Sequence, residues 1–263
     1  MYRIVIQVPG SMASLKSFVE HSYTPIALRS YAAEFISTFL FVFASVGSTM
    51  ASHKMSPESA SDPASLAVTA TAKAFALSAA VYISANISGG HVNPAVTFGM
   101  AIGGHITVPM AILYGISQMS ASALACLLLK ITTVSSAVPI HSFPYEMTGF
   151  GAAMLEAVTT YGLVYTSFAS ADPRKGRSIA VGSLSVGFIY GANALASGPF
   201  TGGSMNPAYS FGAALVRGNF RDHGAYWAGP LVGAALAAIT YDYLVFPAQL
   251  PDRRPDISDG DEV

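Results

Sequence analysis

Charge is what this sequence has least of. Only 10% of its 263 residues are Asp, Glu, Lys or Arg, against roughly a quarter in a soluble domain. Between Ala64 and Lys130 the one charged side chain before Lys130 itself is Lys73. With 52% hydrophobic residues and a mean hydropathy of +0.49, the chain is too apolar for water alone and reads as an integral membrane protein. Cysteine is scarcer still. Cys126 stands alone, which excludes an intramolecular disulfide and any cysteine-based metal cluster. A net charge of −1 offers no basic face to nucleic acid. Nothing reads as a nucleophile–base pair, a phosphate loop or a metal-ligand cluster, so no enzyme activity, cofactor or metal is expected.

What is present instead is length in apolar runs. A membrane-spanning helix needs roughly 20 mostly apolar residues, and six stretches qualify: about 28–52, 64–87, 107–131, 150–170, 178–198 and 223–246. Residues 1–27 are expected to be a cytosolic tail, because their apolar run IVIQV is short and broken by Pro9-Gly10. Residues 248–263 are expected to be a disordered acidic tail. Six spans put both ends on one side. The loop ADPRKGR at 171–177 carries Arg174, Lys175 and Arg177 against Asp172, so the positive-inside rule makes that loop cytosolic, and the termini with it.

The chain is also written twice. GGHVNPAVTFG at 89–99 returns as GGSMNPAYSFG at 202–212, 113 positions later. The echo extends to an acidic residue in the first span of each half, Glu34 in YAAEFISTFLFVF and Glu156 in GAAMLEAVTTYGLVY. Three spans per half turn the second half over in the membrane, and such an inverted repeat places a site at the midplane.

The repeated motif has its own chemistry. Asn is a favoured N-cap and Pro a favoured first helical residue, where a missing N–H costs nothing. Asn93-Pro94-Ala95 and Asn206-Pro207-Ala208 therefore both read as helix starts. About ten mostly apolar residues follow each, roughly 15 Å of helix and half of a ~30 Å bilayer core. Neither segment spans, but two entering from opposite faces meet at the middle by their N-termini. Two positive dipole ends and two Asn amides then share one point. Irregular backbone at that depth must be buried in protein or line a wet cavity. A polar path with a positive waist admits small neutral solutes and repels cations.

On these residues the chain resembles the aquaporin (major intrinsic protein) family over about residues 28–247, the first repeat covering about 28–131 and the second about 150–246. GGHVNPAVTFG, ASADPRKG, GFIYGANALA and GPFTGGSMNPA are similar to the plant tonoplast intrinsic proteins, nearest their divergent, pollen-associated subgroup. The resemblance implies an all-α membrane fold of six transmembrane helices and two re-entrant half-helices. It implies a homotetramer in the vacuolar membrane with one pore per subunit, passing water and small neutral solutes. It also implies that Glu34 and Glu156 are buried and brace the re-entrant loops.

The family's narrow filter is found by counting from the two asparagines. Lys73 stands twenty residues before Asn93, where many tonoplast members carry histidine. Ala194 and Gly203 stand twelve and three before Asn206, and Tyr209 three after it. Arginine is typical at this last position in the wider family. His141, in PIHS, is a fifth contributor in some tonoplast proteins. Lys73 and Tyr209 depart from the pattern: tyrosine has one hydroxyl and an aromatic face where arginine has a rigid charged fork. Four readings of Lys73 stay open: replacement of the missing charge, obstruction, snorkelling to the vestibule, or a lysine neutralised by desolvation. A neutral, partly aromatic filter suits urea, ammonia, glycerol or hydrogen peroxide better than strict water selection. Ser210 stands where glycerol facilitators typically carry aspartate, which lowers the expectation of a dedicated glycerol channel.

Elsewhere, Cys126 is expected to pack as a small apolar residue, His91 to hold its re-entrant loop, and His53 and His105 to lie at membrane edges. Asp242 is expected to be solvated at the end of the last span. Two other functions compete with a passive channel. An active secondary transporter also uses inverted repeats and broken helices, and a non-conducting subunit would follow from a blocked filter.

Overall fold

The computed structural model describes residues 22–55, 62–133, 137–176 and 178–246. The two tails expected at 1–27 and 248–263 lie almost entirely outside them. Helix α1 (Pro25–Met55) opens the fold, the Thr24 hydroxyl accepting from Ala27 N at 3.3 Å. It is followed by α2 (Pro63–Ser84), the short α3 (Pro94–Ile102) and α4 (Val108–Thr132). The second half repeats the order with α5 (Gly149–Ala171), α6 (Ile179–Thr201), the short α7 (Pro207–Arg217) and α8 (Ala225–Ala238). A π-helical segment, Ile239–Val245, prolongs α8.

Five of the long helices are long and apolar enough to cross a membrane. The sixth, α5, has 23 residues, roughly 34 Å and sufficient length, but Glu156, Thr159 and Thr160 reduce its hydropathy. These polar groups are buried rather than turned to lipid. The outward faces carry Ile36, Phe75, Ile112, Ile116, Val158, Phe188 and Val232. This is an inside-out helix bundle, with its hydroxyls and amides within and its aliphatic groups outside.

The pairing of the helices follows the repeat. In the first half α1 packs on α2 and α4; in the second, α5 packs on α6 and α8; and α2 meets α6 across the divide. Each short helix also leans on the closing span of the other half, α3 on α8 and α7 on α4. Glycine permits that approach. A Cβ at Gly99 would strike Val164 and the Ala234 carbonyl, and one at Gly212 would strike the backbone of Ser122. Two apolar clusters result, one around Phe41, Tyr190, Met205 and Tyr209, the other around Ala95, Phe168 and Tyr241.

Candidate functional site

Two loops, 85–93 and 202–206, descend to the start of α3 and of α7. Each has three residues in the left-handed region: Gly89, Gly90 and Val92 (φ +57°) in one, Gly202, Gly203 and Met205 (φ +52°) in the other. For Val92, a β-branched residue, that conformation is strained. What holds it is a carboxylate. Glu34 accepts from His91 N at 2.9 Å and Val92 N at 2.7 Å, and Glu156 accepts from Ser204 N at 3.1 Å and Met205 N at 2.7 Å. Successive N–H groups in this backbone form an anion-binding concavity, and both acids are fully buried within it. Ser88 Oγ and Thr201 Oγ1 donate to the same acids, each at 2.6 Å.

Beyond each loop the asparagine does two jobs. Asn93 Oδ1 accepts from Ala95 N at 2.8 Å, and Asn206 Oδ1 accepts from Ala208 N at 2.9 Å and Tyr209 N at 3.3 Å. These are helix N-caps with Pro94 and Pro207 in the first helical turn. The amide nitrogens cross over: Asn93 Nδ2 donates to the Met205 carbonyl at 2.8 Å, and Asn206 Nδ2 to the Val92 carbonyl at 3.0 Å. Each half thus anchors the strained residue of the other. The two half-helix N-termini meet at this waist.

On one side of the waist lie the four residues reached by counting, together with His141. Lys73 Nζ donates to the Gly202 carbonyl at 3.3 Å and stands 5.5 Å from the centre of the Tyr209 ring. Lys73 is buried, so its stem does not carry the ammonium to open solvent. The Tyr209 ring meets His141 at 4.5 Å and Phe41 at 5.6 Å between centroids, and it belongs to the apolar cluster that includes Cys126. Gly203 has no room for a side chain, since a Cβ there would press on Ala194 Cα and Ser197 Oγ. His141 lies in the loop before α5, with a buried Nδ1 that has no hydrogen-bond partner among the described residues. Burial, then the nearby Lys73 ammonium and His223, push its pKa down to about 3.

On the other side of the waist is a cavity of about 580 Å³, lined among others by Gly90, His91, His105, Asp172, Arg174 and Asp242. Here the structure corrects the sequence. Asp242 is buried, and its Oδ2 pairs with His105 Nε2 at 2.7 Å. Asp242 is carried by a π-helical turn, a wider turn than the α-helical one that apolar periodicity leads one to expect. Asp172 is held well below the usual carboxylate range, first by Arg174, which it binds through both oxygens, and also by Tyr241 Oη at 2.7 Å.

Sequence reasoning missed the side chains that brace the loops from outside. Tyr114 Oη donates to the Ser88 carbonyl at 3.1 Å and Tyr226 Oη to the Thr201 carbonyl at 2.8 Å. They stand 21 and 20 residues after Asn93 and Asn206, and that near-equal offset was the signal by which they could have been found. Gln118 and Thr97 were also missed. Gln118 Nε2 donates to Glu34 at 2.9 Å and Thr97 at 3.0 Å.

Comparison with known proteins places this geometry. The family model described as Major intrinsic protein matches residues 21–241. A probable aquaporin TIP5-1 from Arabidopsis thaliana is 55% identical over 223 residues, covering 85% of this chain and 87% of the relative. One from Oryza sativa subsp. japonica is 51% identical over 252 residues, covering 93% of each. Among solved structures, the aquaglyceroporin from Plasmodium falciparum superposes with a TM-score of 0.72 at 21% identity, covering 83% of this chain and 96% of that one; this likeness concerns the fold.

Proposed function

The chain belongs to the major intrinsic protein family of membrane channels and is similar to its TIP-type members; from that premise we propose that it passes water and small neutral solutes passively, urea foremost, with ammonia, glycerol and hydrogen peroxide as further candidates. The observation that carries this reading is the waist. Each asparagine spends its oxygen on its own helix and one N–H on the opposite loop, and an amide nitrogen has two hydrogens. The second N–H of each amide is a donor for a solute oxygen, between two positive helix ends that repel cations.

The filter reading rests on the grouping of Lys73, Ala194, Gly203, Tyr209 and His141. Its one cation comes from α2, and its aromatic groups from α7 and the loop before α5. Passive flow is favoured over ion-coupled transport because both midplane acids, Glu34 and Glu156, are already occupied by backbone N–H donors. We place the protein as a tetramer in the vacuolar membrane, with cytosolic termini, by its likeness to tonoplast proteins and the basic loop at 171–177.

Stopped-flow light scattering on proteoliposomes, with an osmotic step followed by a urea gradient, is the test. Fast water and urea flux support the reading, and water flux without urea removes urea from it. Absence of both from a folded protein favours a second reading, an obstructed subunit, which the close approach of buried Lys73 and Tyr209 makes specific. Lys73→His then restores flux.

A further inference from the structure

The first half contains a chain of hydrogen bonds with no counterpart among the described residues of the second. Glu34 receives two backbone N–H groups, the Ser88 hydroxyl and the Gln118 amide. A carboxylate so surrounded acts as an acceptor, so the side of Gln118 facing it must be the NH₂. That same Nε2 lies 3.0 Å from Thr97 Oγ1, and both its hydrogens are thereby used. Thr97 Oγ1, accepting from Gln118, directs its own hydrogen to the remaining neighbour, His91 Nδ1, at 3.1 Å. His91 Nδ1 is then an acceptor. The partner of one ring nitrogen fixes the state of the other, and His91 lines the 580 Å³ cavity beside the Asn93 waist.

We propose that Gln118 and Thr97 are positioning residues that hold His91 as the neutral tautomer protonated on Nε2, giving the cavity wall a hydrogen-bond donor and no charge. The proposal rests on the channel reading for its consequence and on the hydrogen-bond chain for its geometry. Protonating Nδ1 would require the Thr97 hydroxyl to turn away while Gln118 still occupies it from behind. Other titratable groups face the ring. They are Glu34 from α1, Tyr114 from α4 with rings 5.2 Å apart, and His105, in the turn after α3, with its partner Asp242 from the π-helical segment. The α2 and α6 residues on the cavity wall, such as Val81, Gly182 and Val186, bring none, while Asp172, Arg174 and Tyr241 line the same cavity. The equivalent places in the second half hold Ser204, Ser210 and Pro230. The Ser204 and Ser210 hydroxyls bond to nearby backbone carbonyls, and no imidazole is set there.

The test uses full-length protein labelled with ¹⁵N-histidine in lipid nanodiscs, with His91→Gln identifying the His91 signals. We expect the wild type to show Nε2–H and an unprotonated Nδ1 through the neutral range. Gln118→Met frees Thr97 to accept, admits the Nδ1-protonated form, and moves the His91 titration to higher pH by about one unit, the worth of a hydrogen bond to a charged group. Thr97→Val also abolishes the single tautomer, and Thr97→Ser keeps it. This pair leaves the Glu34 contact intact should Gln118→Met fail to fold. A wild-type His91 protonated on Nδ1, or a Gln118→Met or Thr97→Val spectrum identical to wild type, overturns the proposal. In proteoliposomes Gln118→Met makes water flux acid-sensitive with the same midpoint as the resonance. No flux in wild type or variants sinks the channel reading, while the tautomer spectrum still decides the proposal.

Discussion

The two halves share a frame and differ in what they mount on it. In each, a buried glutamate holds a strained loop in place, an asparagine caps a half-helix, and a tyrosine from the closing span holds the loop carbonyl. Around the first loop stand His91, Thr97 and Gln118, beside an open cavity. Around the second stand Lys73, Tyr209 and His141, packed closely with Phe41 and Tyr226. Where the backbone must be held the halves agree; in the side chains set around each loop they diverge, one side keeping a cavity and the other packing closed.

Breaking the frame has the largest expected effect. Glu34→Ala strands two backbone N–H groups, a hydroxyl and an amide, at ~1–3 kcal/mol each, comparable to a domain's entire stability of roughly 5–15 kcal/mol. It should yield little folded protein. Glu156→Ala strands three donors and should be the milder of the two, as thermal unfolding and the monodisperse yield in detergent will show. The next effect is on the proposed filter. Lys73→Met removes the cation from beside Tyr209, and cation conductance in planar bilayers should rise about tenfold, a barrier change of ~1.4 kcal/mol. The same readout should be flat for Gln118→Met.

Caps come third. Asn206→Ala should cost more than Asn93→Ala within the usual ~0.5–2 kcal/mol range, because Asn206 caps two N–H groups and Asn93 one; paired melting curves compare them. Last comes pH, whose effect is smallest in the mildly acidic range. His141 has a folded pKa of about 3 against an ordinary 6.5, so protons favour the unfolded chain. Its contribution is complete above pH 6.5 and declines as pH falls toward 3, by ~1 kcal/mol one unit below the ordinary value. His141→Gln should flatten that part of the stability–pH curve, and an unchanged slope would mean His141 is solvated.

The spans, the duplicated motif and the two acids were legible because each announces itself locally. Apolar runs of about twenty residues, Asn-Pro at a helix start and a carboxylate amid aliphatic neighbours need no partner to be noticed. The grouping of Lys73, Ala194, Gly203 and Tyr209 came from the family's spacing and His141 from the likeness of its loop, since residues as far apart as Lys73 and Tyr209 are joined by no local pattern. Asp242 was misjudged because its position at the end of a span says nothing of a π-helical turn. Gln118 reads as one polar residue on an apolar helix until Glu34, 84 positions earlier, is seen beside it.

The sequence by itself determined that this chain lives in a membrane, that it is built twice, and that each copy stops a helix halfway across. Those properties follow from hydropathy, helix length and capping chemistry, which act between near neighbours. Only the tertiary structure decided that each asparagine bonds to the other copy's loop, that Lys73 turns to the Gly202 carbonyl, and that Tyr209 packs into the core. Hydrogen bonds and ring contacts across a hundred residues depend on which helices the inverted repeat sets side by side, and that is a property of the packed molecule.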